Sequence, residues 1–248
     1  MLPIIRGWTD VRRTPQSNLR LGAALAFVAG ATNAGGFLAV GQYTSHMTGI
    51  VSAMADNLVL GQATAVLAAA AALATFVAGA MTTAIVVNWG LRRQLHSAYS
   101  LPLLLEAALL LVFGLLGASL GLHTALLVPV TVLLLCFMMG LQNAVISKIS
   151  RAEIRTTHLT GLVTDFGIEL GKLVYFNRIE GVDPVRASRE RMRTQGLLIG
   201  LFFVGGVIGA LGFQYAGYVT TVPLALLLLL LSLRPVLFDV GALARPGA

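Results

Sequence analysis

Apolar residues in this chain fall in long unbroken runs rather than in stripes. Six runs, at approximately 21–40, 63–88, 101–121, 125–146, 195–214 and 219–237, carry little charge. Each is long enough to cross about 30 Å of hydrocarbon, which takes about 20 helical residues. Two further segments are shorter and broken by polar positions: SHMTGIVSAMADNLVL at 45–60 and THLTGLVTDFGIELGK at 157–172. The pattern predicts an all-α integral membrane protein, with six transmembrane helices and two half-helices that are either re-entrant or parts of broken helices.

Composition agrees. The 248 residues are 57% hydrophobic and 11% charged, with a mean hydropathy of +0.85. A soluble domain carries about a quarter charged residues, so a water-soluble enzyme and a disordered chain are both excluded. Twenty-seven glycines suit closely packed membrane helices. The one cysteine, Cys136, lies in an apolar run and supports neither a disulfide framework nor a thiolate metal site. The basic N-terminal stretch precedes an apolar segment without a clear cleavage pattern, and reads as a retained first helix.

The formal charge of +7 is read as topology rather than as a nucleic-acid surface. If neither short segment spans, all seventeen basic residues lie on one side. If both span, Arg92, Arg93, Lys148, Arg151 and Arg155 move across, leaving twelve against five. Cytoplasmic loops collect Lys and Arg, so six crossings with both termini cytoplasmic is the expected topology. Each short segment then enters and leaves by one face. Irregular backbone at that depth is tolerated only inside protein or beside a wet cavity. Interfacial helices lying flat are the alternative.

The two short segments resemble each other. His46-Met47-Thr48-Gly49 matches His158-Leu159-Thr160-Gly161, with Ser45 answering Thr157 and Ser52 answering Thr164. Upstream, Gly30-Ala31-Thr32-Asn33-Ala34 matches Gly140-Leu141-Gln142-Asn143-Ala144. Downstream, Phe76-Val77-Ala78-Gly79-Ala80 matches Phe202-Phe203-Val204-Gly205-Gly206. Three collinear blocks imply a duplication. The expected organisation is a cytoplasmic segment 1–20, a first membrane repeat 21–122, a second repeat 123–240 and a cytoplasmic tail 241–248. Three crossings per half would place the second half upside down, the inverted-topology plan of many transporters.

At Ser45-His46-Met47-Thr48-Gly49, Gly140-Leu141-Gln142-Asn143-Ala144 and Thr156-Thr157-His158-Leu159-Thr160-Gly161 the sequence resembles the YoaK-like family of uncharacterised bacterial inner-membrane proteins. The resemblance covers nearly the whole chain and implies a multi-pass membrane protein without an assigned substrate. The family tends to carry Asp where this chain has Asn33, and Asn where it has Ile50.

Candidate chemistry follows the repeat. Ser45 and Thr157 are expected as N-caps, with Thr48-Gly49 and Thr160-Gly161 in the first turn. A helix N-terminus offers free N–H groups and about half a positive charge, which favours anions or carbonyl oxygens. The opposing reading is that the hydroxyls satisfy backbone and the glycines only allow close packing. Asn33, Gln142 and Asn143 are solute-binding or helix-bridging candidates. His46 and His158 could bind an anion or relay protons. Asp56, Asp165 and Glu169 are proton-coupling candidates, since carboxylates within apolar blocks are costly and default to function. A Glu169–Lys172 ion pair is the plain alternative for Glu169. Glu106, little more than a turn inside its run, is expected to reach out to the interface.

Neither a metal site, a nucleophile elbow nor a phosphate-binding Gly-Lys loop is present in the sequence, so no enzyme activity and no cofactor is expected. The leading expectation is a secondary transporter for a small polar or anionic solute, with proton coupling, its site at the midplane between the repeats. A channel with two opposed half-helices and a non-transporting scaffold or sensor stay open beside it. Membrane lipid and a small-molecule or ion substrate are the expected partners, with no nucleic acid; self-association is left open.

Overall fold

A computed structural model describes residues 9, 14–119, 124–150, 157–178 and 181–243. Helices account for all regular structure among them: α1 (Pro15–Val40), α2 (Met47–Val59), α3 (Ala63–Arg92), α4 (Ser100–Ser119), α5 (Thr124–Ser150), α6 (Leu159–Val174), α7 (Arg189–Ala216), a 3-10 turn (Gly217–Thr220) and α8 (Thr221–Leu243). Five apolar stretches are long enough to cross a membrane, and the last of them, Arg189–Ala242, holds both α7 and α8. The chain is a helical membrane protein. With 13 and 16 residues, α2 and α6 fall short of the roughly 20 that a crossing needs. Arg6, Arg12, Arg13, Arg151, Arg155 and Arg245 lie outside the described residues, as do most of the expected N-terminal segment and tail.

Sequence signals place the helix ends. Thr14 caps α1, its hydroxyl accepting from the Ser17 N–H, and Pro15 opens the first turn with the preset φ that proline supplies. Ser188 caps α7 by accepting from the Arg191 N–H. Gly41 (φ 72°) and Gly61 (φ 71°) adopt the left-handed backbone at the turns after α1 and α2.

Glycine sets how the long helices pack. A Cβ at Gly30 would strike the Phe202 carbonyl, and one at Gly205 would strike that of Phe27. The same holds at Gly140 against Phe76 and at Gly79 against Phe137. Backbones therefore touch where α1 meets α7 and where α3 meets α5, as small residues permit in membranes. The contacts advance from Phe27–Gly205 through Ala31–Gly209 to Gly35–Phe213, so α1 and α7 run in the same direction. In contrast, Gln142 Nε2 donates to the Leu25 carbonyl at 3.3 Å while Gly36 lies against Leu135, so α1 and α5 run in opposite directions. Helices α4 and α8 are also antiparallel, from Gly117–Tyr218 through Gly114–Thr221 to Ser97–Asp239. At that last end the Asp239 carboxylate accepts from the His96 and Ser97 N–H groups and the Ser97 hydroxyl, satisfying donors ahead of α4. Leu25, Leu110, Leu135, Leu141 and Leu228 are among the fully buried centre where α1, α4, α5 and α8 meet.

Candidate functional site

After Gly41 the chain doubles back along α1. The Tyr43 ring stacks on Phe37 with centroids 4.6 Å apart, and Ser45 Oγ donates to Asn33 Oδ1 at 2.9 Å. Asn33 stands about two turns below the end of α1, so α2 begins at that depth. The second motif repeats the contact: Thr157 Oγ1 donates to Asn143 Oδ1 at 2.7 Å, and Asn143 stands about two turns before the end of α5.

Ser45 and Thr157 are therefore not the N-caps expected from sequence. The cap positions belong to His46 and His158, and neither makes a side-chain capping bond. Each hydroxyl carries one proton, and here it goes to an asparagine amide oxygen on a neighbouring helix. The glycine of each motif has a steric reason: a Cβ at Gly49 would strike the His46 ring, and one at Gly161 the His158 ring.

A cavity of about 900 Å³ lies against α1 and α7, and Asn33, Ser45, His46 and Thr157 all line it. Both motifs thus reach one space. Thr48 and Thr160 do not line it and are exposed. Asn143 and His158 are not among its lining residues either, although Thr157 connects Asn143 to its edge. Gln142 is fully buried at the α1–α5 crossing, and among the described residues its Oε1 has no partner, nor has the hydroxyl of the matching Thr32.

The carboxylates separate into three situations. Asp56 and Asp165 are exposed on the outer faces of α2 and α6. Glu169 is buried, accepting from Lys172 Nζ at 2.8 Å and from the Ser188 N–H at 2.6 Å. The Lys172 ammonium and then the Ser188 N–H hold its carboxyl below the usual carboxylate range. Glu106 does not reach the interface as expected. It is fully buried, and neither oxygen has a hydrogen-bond partner among the described residues, because it shares the face of α4 that carries the buried Leu103, Ala107 and Leu110. Sequence reasoning also missed the aromatic lining of the cavity, where Phe37, Tyr43, Phe202 and Phe203 sit. The one available signal was Tyr43, placed just before the first motif in a segment too polar for a core.

Fold and glycine packing define a polytopic helical membrane protein. Residues 21–233 match the family described as "Protein of unknown function (DUF1275)", and the chain belongs to it. Neither a curated protein nor a solved structure matches the chain.

Proposed function

We propose that the chain is a secondary transporter that carries a small polar solute across a bacterial inner membrane. Its six crossings would form two inverted-topology repeats with both termini cytoplasmic. One observation carries the reading: hydroxyl-bearing residues from both halves, Ser45 and Thr157, line a single cavity and are each tied to the equivalent asparagine. Interrupted backbone facing a cavity at depth is the arrangement transporters use to expose polar groups to a solute.

Helix direction supports the topology. Opposed α1 and α5 require an odd number of crossings before α5 begins. Three crossings by α1, α3 and α4 meet this; a fourth by α2 would make α1 and α5 parallel. The basic residues then share the cytoplasmic side. Proton coupling would use the carboxyls of α2 and α6, Asp56 and Asp165, with Glu169 held in its ion pair. Glu106 joins them as a candidate, since an unpaired carboxyl inside a span is functional by default.

Uptake of a solute panel into proteoliposomes tests the reading. Saturable flux that collapses with an uncoupler supports a coupled transporter, saturable flux without that collapse favours the channel, and no flux across the panel refutes transport. In a Cys136→Ser background, Val185→Cys should resist membrane-impermeant labelling in intact cells; labelling from outside would overturn the six-crossing topology.

A further inference from the structure

The cavity against α1 and α7 is unusual in its chemistry. Rings form much of it: the stacked pair Phe37 and Tyr43, with Phe202 and Phe203 from α7. None of its described lining residues is Lys, Arg, Asp or Glu. Its polar side chains are Asn33, Tyr43, Ser45, His46 and Thr157, and both aliphatic hydroxyls are engaged. Ser45 gives its proton to Asn33, and Thr157 gives its proton to Asn143. At Asn143 the amide nitrogen is also engaged, donating to the Met139 carbonyl at 2.9 Å. At Asn33 only the oxygen is engaged, and the two N–H donors of Nδ2 have no partner among the described residues.

We infer that the cavity takes a flat, uncharged aromatic or heteroaromatic molecule bearing a hydrogen-bond acceptor, held by Asn33 Nδ2 against the ring walls; this rests on the transporter reading. An inorganic cation would shed its hydration with no counter-charge in the lining to replace it, and an anion would find only the His46 imidazole. A sugar would bring many hydroxyls to a surface with few free donors and acceptors. A planar ring needs only an apolar or aromatic face for most of its area, plus one or two directional contacts. The volume of about 900 Å³ leaves ample room for a one- or two-ring compound.

Binding to the full chain in detergent, by titration calorimetry and thermal shift, tests this with benzamide, nicotinamide and uracil as neutral rings. Benzoate serves as the charged shape-match of benzamide, with phosphate and glycerol as non-aromatic probes. Neutral rings are expected to bind at least about tenfold tighter than benzoate. Asn33→Asp keeps an oxygen for Ser45 but replaces the amide donors with a carboxylate that repels acceptor atoms, and should weaken the neutral rings about tenfold or more, at least the value of one hydrogen bond. Phe203→Ala should weaken them severalfold. Preference for benzoate, phosphate or glycerol, or no binding by any neutral ring, overturns the class; unchanged affinity in Asn33→Asp overturns the donor. Ring binding without flux in proteoliposomes would sink the transporter reading and leave the class standing. Flux of a charged or non-aromatic solute without ring binding would do the reverse.

Discussion

The two motif regions share one frame and hold it differently. In each, a hydroxyl ahead of a short helix bonds an asparagine on the preceding long helix, and a histidine ring packs over a glycine. Yet α2 buries no residue and turns directly into α3 through Leu60-Gly61-Gln62. Helix α6 buries Leu162 and Glu169, and its end is fastened to the start of α7 by the Glu169–Lys172–Ser188 contacts. Asn143 engages both its oxygen and its nitrogen within the protein, while the Asn33 nitrogen has no partner among the described residues. The same parts occur twice, but one set is clamped and the other is left able to engage something else.

The strongest way to break that equivalence is at the packing glycines. Gly30→Val and Gly140→Val each drive a side chain into a backbone carbonyl, and each should cost about 3 kcal/mol or more. Melting of the purified protein should fall by similar amounts for the two. A large loss in one and none in the other would deny that the halves pack alike.

Hydroxyl removal comes next. Thr157→Val leaves Asn143 Oδ1 without its donor and should cost about 1–2 kcal/mol. Ser45→Ala should cost less, because the surroundings of Asn33 are more open to other partners. Equal costs by denaturant or thermal unfolding would remove the contrast between clamped and free motifs.

The Glu169 clamp adds a pH signature. Its carboxyl lies below the usual range when folded, so its contribution is present above the ordinary carboxylate value and is lost as pH falls through the lowered one. The melting-temperature gap between wild type and Glu169→Gln should therefore shrink at acid pH. Amides of 159–174 should lose exchange protection there before those of 47–59 do. A constant gap down to strong acid would show that the ion pair holds nothing.

The smallest structural effect is expected at the exposed carboxylates. Asp56→Asn and Asp165→Asn should leave stability within about 0.5 kcal/mol. If they carry protons, they should shift the pH dependence of flux once a solute is known. Unchanged pH profiles in both would confine coupling to other groups, Glu106 first.

Much of this frame was legible in sequence. The apolar runs mark the long helices because hydrocarbon demands length and little else, and the repeated blocks turned out to be the places where backbones touch, Gly30 on Phe202 and Gly140 on Phe76. Helix extensions beyond the apolar runs were missed at Pro15 and Arg189, where caps at Thr14 and Ser188 carry polar turns past the hydrophobic limit. The wrong assignment of Ser45 and Thr157 has a definite cause: a hydroxyl before a helix can serve the helix or a neighbour, and the neighbour is invisible along the chain. Glu106 and the aromatic cavity wall share that cause, since their surroundings come from helices distant in sequence.

The packing of α1 on α7 and of α3 on α5 also bears on how the protein is made. Ribosomes deliver α1 long before α7 exists, so the glycine face around Gly30 must wait for more than half the chain to be synthesised. Contacts of such sequence separation form late and leave surfaces exposed meanwhile. A polypeptide halted after α4 would leave α1 and α3 each without its partner. Two separately expressed halves would instead find their missing faces in each other, so the gene can be cut between α4 and α5 only if both fragments are present in the same membrane.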